Sequence, residues 1–158
     1  MNVTSLTVAM TDDIIELMAL GEPYIRPRTS SDYWAYATLF STTCPVAMID
    51  GQLAGAIIGF RSQDEPADVY LQDVMVHPDY RRRGVANALV GSVFAVAESW
   101  GCRRLYLTSE SDNSGADSTW RKLGFVNVPG DYALNGVQVT RDFKGPGKDR
   151  AVYELIVA

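Results

Sequence analysis

Cysteine is scarce in this chain. Cys44 and Cys102 are the only two among 158 residues, and neither a disulfide framework nor a metal-ligand spacing can be assembled from them. In a chain long enough to bury a core, both are expected as small buried hydrophobes. No metal site is expected. No apolar run approaches the length that crosses a bilayer, and the opening "MNVTSLTVAMTDD" lacks the basic-then-apolar pattern of a secretory signal. These absences point to a soluble, cytoplasmic protein that does not engage a membrane. Positive charge is in the minority, with 14 Lys and Arg against 19 Asp and Glu and a formal net charge of −5. That balance argues against nucleic acid as a partner and favours a cationic small molecule over a polyanion. There is no internal repeat and no low-complexity tract, and one domain is expected over residues 1–158. Neither the phosphate loop GxxxxGK[ST] nor the dinucleotide fingerprint GxGxxG occurs.

What is present reads as alternating strands and helices. "LTV" suggests a short strand before the helix "TDDIIELMALG", with Thr11 as N-cap, Asp12 and Asp13 at the positive helix end and Gly21 as the stop. The aromatic-rich "SDYWAYATLFS" suggests a second helix. "PVAMIDGQLAGAIIGFRS" holds two β-prone runs around Asp50-Gly51, the dipeptide that a two-residue hairpin turn prefers. "VYLQDVMV" is the next strand, closed by His77-Pro78. From Gly84 to Trp100, the residues Val85, Leu89, Val93, Val96 and Trp100 recur at helical steps. "RRLYLTS", "SGADSTWRKLG" and "FVNV" give a strand, a helix and a strand, and "VQVTRDF" with "RAVYELIV" flanks the turn-forming "KGPGK". The order is a mixed α/β sheet with helices on both faces.

The segment "HPDYRRRGVANALV" joins a strand to a helix through three arginines and a glycine. At such a junction the first N–H groups of the helix lack intrahelical partners and the macrodipole is positive, so the turn is suited to an anion. Gly84 permits a tight turn and close approach, and Ala86 keeps the next position small. A pyrophosphate is the natural guest. The alternative is a solvated basic turn.

Arg81-Arg82-Arg83-Gly84-Val85-Ala86 matches the Q/R-x-x-G-x-G/A signature of the GNAT superfamily of acyl-CoA-dependent N-acyltransferases, which the chain resembles here. "VMVHPDY" is similar to that family's lead-in, and Asn113, Ala116 and "WRKLGF" resemble its helix along the pantetheine arm. The resemblance covers roughly residues 46–128. It implies a mixed, mostly antiparallel sheet of about six to seven strands, with the cofactor cleft where the fourth and fifth strands splay. It also implies acetyl-CoA as the acyl donor, with backbone N–H groups of Arg82 to Asn87 on the pyrophosphate and the edges of Val74 and Val76 on the pantetheine. Arg81 or Arg82 would reach the adenosine phosphate, and a backbone N–H near Met75 would polarise the thioester carbonyl. The stretch from Ile49 to Gly84 is also similar to the diaminobutyrate acetyltransferases.

Acyl transfer to an amine needs the neutral amine, and a lysine-type amine with a pKa of about 10.4 is mostly charged at neutral pH. Strict alternation along "VYLQDVMV" puts Leu71, Asp73 and Met75 on one face. Asp73 would thus sit among apolar side chains, where a carboxylate is costly unless it is paired or functional. It matches the position of an acidic base in the family, so Asp73 is expected as base or ammonium anchor, with a surface carboxylate as the bland alternative. Many family members carry a tyrosine before Gly-Phe to protonate the leaving thiolate. Here that position is Trp120, whose indole has negligible acidity; it would pack along the cofactor arm or in the core.

His77, the single histidine, is expected to be structural. Glu110 is read as a loop acid or a lining of the acceptor pocket, and Asn113 as a cofactor contact, a helix cap or both. Tyr33, Trp34, Tyr36 and Tyr132 are core residues or an aromatic wall around the acceptor. "KGPGKDR" is a hairpin tip or a flap, at a dimer contact or over the acceptor; a homodimer is left open. The resulting expectation is N-acetyl transfer from acetyl-CoA to a small amine in a ternary complex. A protein lysine or N-terminal acetyltransferase, which needs an open groove, and a non-catalytic acyl-CoA sensor are the rivals.

Overall fold

A computed structural model describes residues 1–158. Strand β1 (Asn2–Ser5) leads through a 3-10 turn at Val8–Met10 into helices α1 (Thr11–Ala19) and α2 (Ser30–Leu39). Three strands follow, β2 (Pro45–Ile49), β3 (Gln52–Arg61) and β4 (Asp68–Val76), then α3 (Val85–Ser99), β5 (Arg104–Glu110) and α4 (Ala116–Lys122). The chain ends with β6 (Val126–Asn127), β7 (Tyr132–Leu134), β8 (Val137–Val139) and β9 (Arg150–Ile156). Seven strands form one sheet in the order β1-β2-β3-β4-β5-β9-β6. Every neighbouring pair is antiparallel except β4 with β5.

The sheet separates two cores. On one face α3 lays Val85, Leu89, Val90, Val93 and Ala97 against Ile57, Val69, Leu71, Leu105 and Leu107, with Trp120 and Leu123 of α4 at the margin. On the other, Ile14, Leu17 and Met18 of α1 and Tyr33 of α2 cover Val46, Ala56, Ile58 and Met75. Cys44 and Cys102 are fully buried, one in each core, and burial pushes the Cys44 thiol up to about 11. No helix is long and apolar enough to cross a membrane.

Several local expectations need correction. "LTV" is not a strand: β1 lies earlier, and Leu6 instead buries its side chain beneath α1. Thr11 does not cap α1, because its hydroxyl donates backwards to the Val8 carbonyl at 2.6 Å and Met10 occupies the N-cap. α2 starts at a Thr29–Asp32 capping box in which each side chain accepts the other's backbone N–H. The α3 stripe ends on Ala97; Trp100 is 37% exposed with the Arg61 guanidinium 5.1 Å from its ring. "VQV" pairs with β7 across an Asn135-Gly136 turn, and only the Thr140–Arg150 bridge ties it to β9. At Asp50-Gly51 both residues have positive φ, 50° and 76°, and the β2–β3 hairpin closes there.

The strand that positions the site is β4. Ile58 pairs with Asp73 and Gly59 with Leu71, so Gln72 is an extra residue, a β-bulge. Its consequence is a change of face. Val69 and Leu71 lie in the α3 core before the bulge; after it, Met75 lies in the α1/α2 core and Val74 and Val76 pack toward α3. The strict alternation expected from sequence therefore fails at Gln72, and Leu71 and Met75 do not share a face.

Candidate active site

β4 and β5 pair over only three positions, Asp68↔Arg104, Val69↔Leu105 and Tyr70↔Tyr106. At that end Asp68 is buried and bridges Arg103 at 2.9 Å and Arg104 at 3.1 Å. Burial pushes the Asp68 carboxyl up, but the Arg104 and Arg103 guanidiniums outweigh it and hold the group below the usual carboxylate range. Arg104 also bridges Glu154 of β9 at 2.7 Å. Beyond Tyr70 the strands part, and a cleft of about 900 Å³ opens between them.

One wall of the cleft is the free edge of β4. His77 N–H donates to Ala54 O at 2.8 Å, which fixes the antiparallel alternation: residues 77, 75 and 73 turn their backbone groups toward β3. Val74 and Val76 therefore present N–H and C=O to the cleft, and the Met75 N–H faces Ala56. Of the backbone N–H groups near Met75, those of Val74 and Val76 face the cleft and that of Met75 does not.

At the α3 end, Gly84 is the N-cap at φ 76°, a left-handed conformation, with open space where a Cβ would stand. Arg82 is also left-handed, at φ 63°. The first helical bond of α3 is Ala88 N–H to Gly84 O, so the N–H groups of Arg82 to Asn87 find no acceptor within the chain. Gly55 lets this turn sit tightly on the sheet, since a Cβ there would meet Val85 Cγ1 at 2.7 Å. Arg81, Arg82, Gly84, Val85, Ala86 and Asn87 all line the cleft. Arg83 does not; its guanidinium lies 5.4 Å from the Tyr80 ring centroid.

On the α1/α2 face, Asp73 is 5% exposed, and its Oδ2 is buried without a hydrogen-bond partner. Burial raises its pKa, and Arg28, the Gln72 amide and Lys144 lower it by less. The bulge sets Gln72 beside it, where the amide donates to the Tyr36 hydroxyl at 3.3 Å. Tyr33 accepts the Arg28 N–H at 3.1 Å. Tyr33, Trp34, Tyr36 and Tyr132 do not line the cleft: the first and third support it from behind, Trp34 is 50% exposed, and Tyr132 donates to Asp149 at 2.6 Å.

Trp120 lines the cleft and donates its indole N–H to the buried Ser109 hydroxyl at 2.7 Å. Asn113 also lines it but does not cap α4, whose N-cap is Gly115 without a side-chain bond. His77 accepts the Asp79 N–H at Nδ1, 3.0 Å, and so caps the 3-10 turn Pro78–Tyr80 outside the cleft. Glu110 lines the cleft 4.0 Å from Arg150.

Two loops border it: the α1–α2 connection, for which no sequence signal stood out, and the β8–β9 loop that holds the "KGPGKDR" segment. Tyr24, Ile25, Arg26 and Arg28 come from the α1–α2 connection, and the Tyr24 hydroxyl reaches across to the Asp112 carbonyl at 3.4 Å. Lys144 and Lys148 come from the β8–β9 loop, and Lys144 Nζ donates to the Tyr70 hydroxyl at 2.5 Å. Asp142 and Asp149 order that loop by accepting the Gly147 and Asp142 N–H groups at 2.7 and 3.0 Å.

A mixed sheet split beside a helix N-terminus defines the class. The sequence profile of the acetyltransferase (GNAT) family matches residues 11–125, and the chain belongs to that family. An acetyltransferase of Pectobacterium atrosepticum is 31% identical over 83 residues, 52% of this chain and 57% of that protein. One of Sodalis glossinidius is 36% identical over 80 residues, 51% and 54%. The matched part thus spans about half the length of these curated relatives. Among solved structures, the diaminobutyrate acetyltransferase of Paenibacillus lautus, in complex with L-2,4-diaminobutyric acid and coenzyme A, superposes with a TM-score of 0.75 at 20% identity, covering 98% of this chain and 93% of that one. The Naa20 protein of Chaetomium thermophilum, in complex with a bisubstrate analogue, gives 0.78 at 18%, covering 99% and 86%.

The residues present fit coenzyme A. Unpaired N–H groups at the head of α3 suit a pyrophosphate, and the free β4 edge at Val74 and Val76 suits the amides of an extended arm.

Proposed function

We propose that the protein transfers an acetyl group from acetyl-CoA to the amine of a small acceptor. One observation carries this reading: a single cleft joins unpaired helix-head N–H groups to a buried carboxylate whose Oδ2 has no partner. The N–H groups of Arg82 to Asn87 hold the pyrophosphate, with Arg81 and Arg82 beside it. The β4 edge orients the arm, and a backbone N–H of Val74 or Val76 polarises the thioester carbonyl. Asp73 receives the acceptor's ammonium, which supplies the missing partner of Oδ2, and takes its proton. The amine nitrogen bonds to the carbonyl carbon as the carbon–sulfur bond breaks, and the second proton that the nitrogen sheds on becoming an amide passes through water to solvent or to the departing sulfur. Coenzyme A leaves as thiolate or takes a proton from water, since the Trp120 N–H is a non-acidic donor already given to Ser109. The two loops that reach to Asp112 and Tyr70 support a small acceptor over a polypeptide lying in an open groove.

Calorimetric titration with acetyl-CoA, followed by a free-thiol assay with amines, tests the reading. Saturable binding with amine-dependent thiol release is expected. Binding with no release from any amine would leave a sensor, and no binding would overturn the assignment of the cleft.

A further inference from the structure

Although the chain is acidic overall, the walls of the cleft are basic. Its only carboxylates are Asp73 and Glu110, and Glu110 already faces Arg150. Against them stand cations in two groups. Arg81, Arg82 and, on α4, Lys122 belong to the face that carries the helix-head N–H groups. Arg26, Arg28, Lys144 and Lys148 come from the two loops that border Asp73, and none of these four has a carboxylate within salt-bridge distance.

The second group is not an extension of the pyrophosphate site. Tyr70 precedes the bulge and alternates with Val69 and Leu71, which lie in the α3 core, so its side chain is on the opposite face of the sheet. Lys144 is bonded to it there. Arg28 and Lys144 are the two cations whose charge acts on the Asp73 carboxyl. The Arg28 main chain is pinned by its backbone N–H on the Tyr33 hydroxyl, and the Lys144 ammonium is held on Tyr70 within a loop ordered by Asp142 and Asp149. A ligand bearing only ammonium groups satisfies Asp73 but brings positive charge beside unpaired cations. One that carries an anion as well satisfies both.

We infer that the acceptor is a small amine that also carries a carboxylate, with its reacting nitrogen at Asp73 and its carboxylate between Arg28 and Lys144. The net charge of −5, which by itself favours a purely cationic partner, is thus misleading about the site. This inference rests on the transferase reading and deepens it. It names the acceptor class as amino acids, including those with a second amine, and sets aside polyamines and amino sugars.

Matched pairs test it in the free-thiol assay: 2,4-diaminobutyrate against 1,3-diaminopropane, ornithine against putrescine, and lysine against its methyl ester. In at least one pair the carboxylated member should have a kcat/KM roughly tenfold or more above its partner, as a charge-assisted contact provides. Arg28→Gln and Lys144→Gln, both at exposed positions and checked by unchanged thermal midpoints, should move that ratio toward one through the KM of the acid. Equal rates within every pair, or faster turnover of the decarboxylated members, would overturn the carboxylate site and leave the transferase standing. Turnover confined to acidic peptides, or thiol release from no amine despite acetyl-CoA binding, would also overturn it, the latter together with the transferase.

Discussion

Asp68 and Asp73 stand on the same strand and have opposite fates: the first is clamped by Arg103 and Arg104, and the second keeps Oδ2 without a partner. Where β4 and β5 pair, the carboxylate is compensated. Where they part, it is not. Their pKa shifts have opposite sign, and this gives them opposite effects on stability.

For Asp68 the folded pKa is depressed, so its contribution is present above the unfolded carboxylate value of about 3.9 and is lost as pH falls through the folded value. Asp68→Asn should destabilise the protein by about 2 kcal/mol at neutral pH, chiefly by leaving the half-buried Arg104 with Glu154 as its one remaining carboxylate, and by progressively less below pH ~3.9. Urea unfolding at a series of pH values measures both.

For Asp73 the folded pKa is raised, so its contribution is present below about 3.9 and is lost as pH rises through the folded value; at neutral pH the buried charge is a cost. Asp73→Asn should melt no lower than the parent at neutral pH and lose that advantage on acidification. Its turnover should fall on the order of a hundredfold, with a flattened acidic limb of the rate profile. Retained turnover would make Asp73 purely structural.

Gly84→Glu should abolish acetyl-CoA binding through a side chain and a negative charge set at the anion site. Because nothing lies within 4 Å of the added Cβ, the cost to the fold should be limited to the left-handed backbone, about 1 kcal/mol. Titration calorimetry and thermal melting read the two effects separately, and intact binding would move the pyrophosphate elsewhere.

Trp120→Phe keeps the aromatic packing and removes the donor to Ser109, leaving a buried hydroxyl that has lost its partner. A loss of about 1 kcal/mol in denaturant unfolding is expected. If the indole serves no proton transfer, the pH profile of turnover should keep its shape.

Much of the site was legible in the sequence because it is local. The strand, the arginine-glycine turn and the helix that form the candidate anion site are contiguous, and the turn's geometry follows from Gly84 itself. The Asp50-Gly51 hairpin was legible for the same reason. Asn135-Gly136 carries the same signal, with φ of 51° and 79°, and closes the β7–β8 hairpin, while "VQVTRDF" meets "RAVYELIV" at the Thr140–Arg150 bridge. The bulge at Gln72 has no composition cue, since the extra residue is defined only against β3. Without it the alternation grouped Asp73 with Leu71 as well as with Met75, and only Met75 shares its face. Arg28 and Lys144 lie far from Asp73 in sequence and come near it only through tertiary structure, so "KGPGKDR" was readable as a flap while its basic contribution to the cleft wall was not.

The short β4–β5 ladder has a mechanical side. The sheet is two leaves, β1 to β4 and β5 with β9 and β6, sewn together along three residue pairs and the ion pairs of Asp68 with Arg103 and Arg104. Such a seam is a spine, with the cleft as the gap between the pages. A molecule bound across the gap replaces the missing stitches, and stiffness gained in the leaves, read by amide exchange in β4 and β5, becomes a measure of occupancy independent of any chemistry.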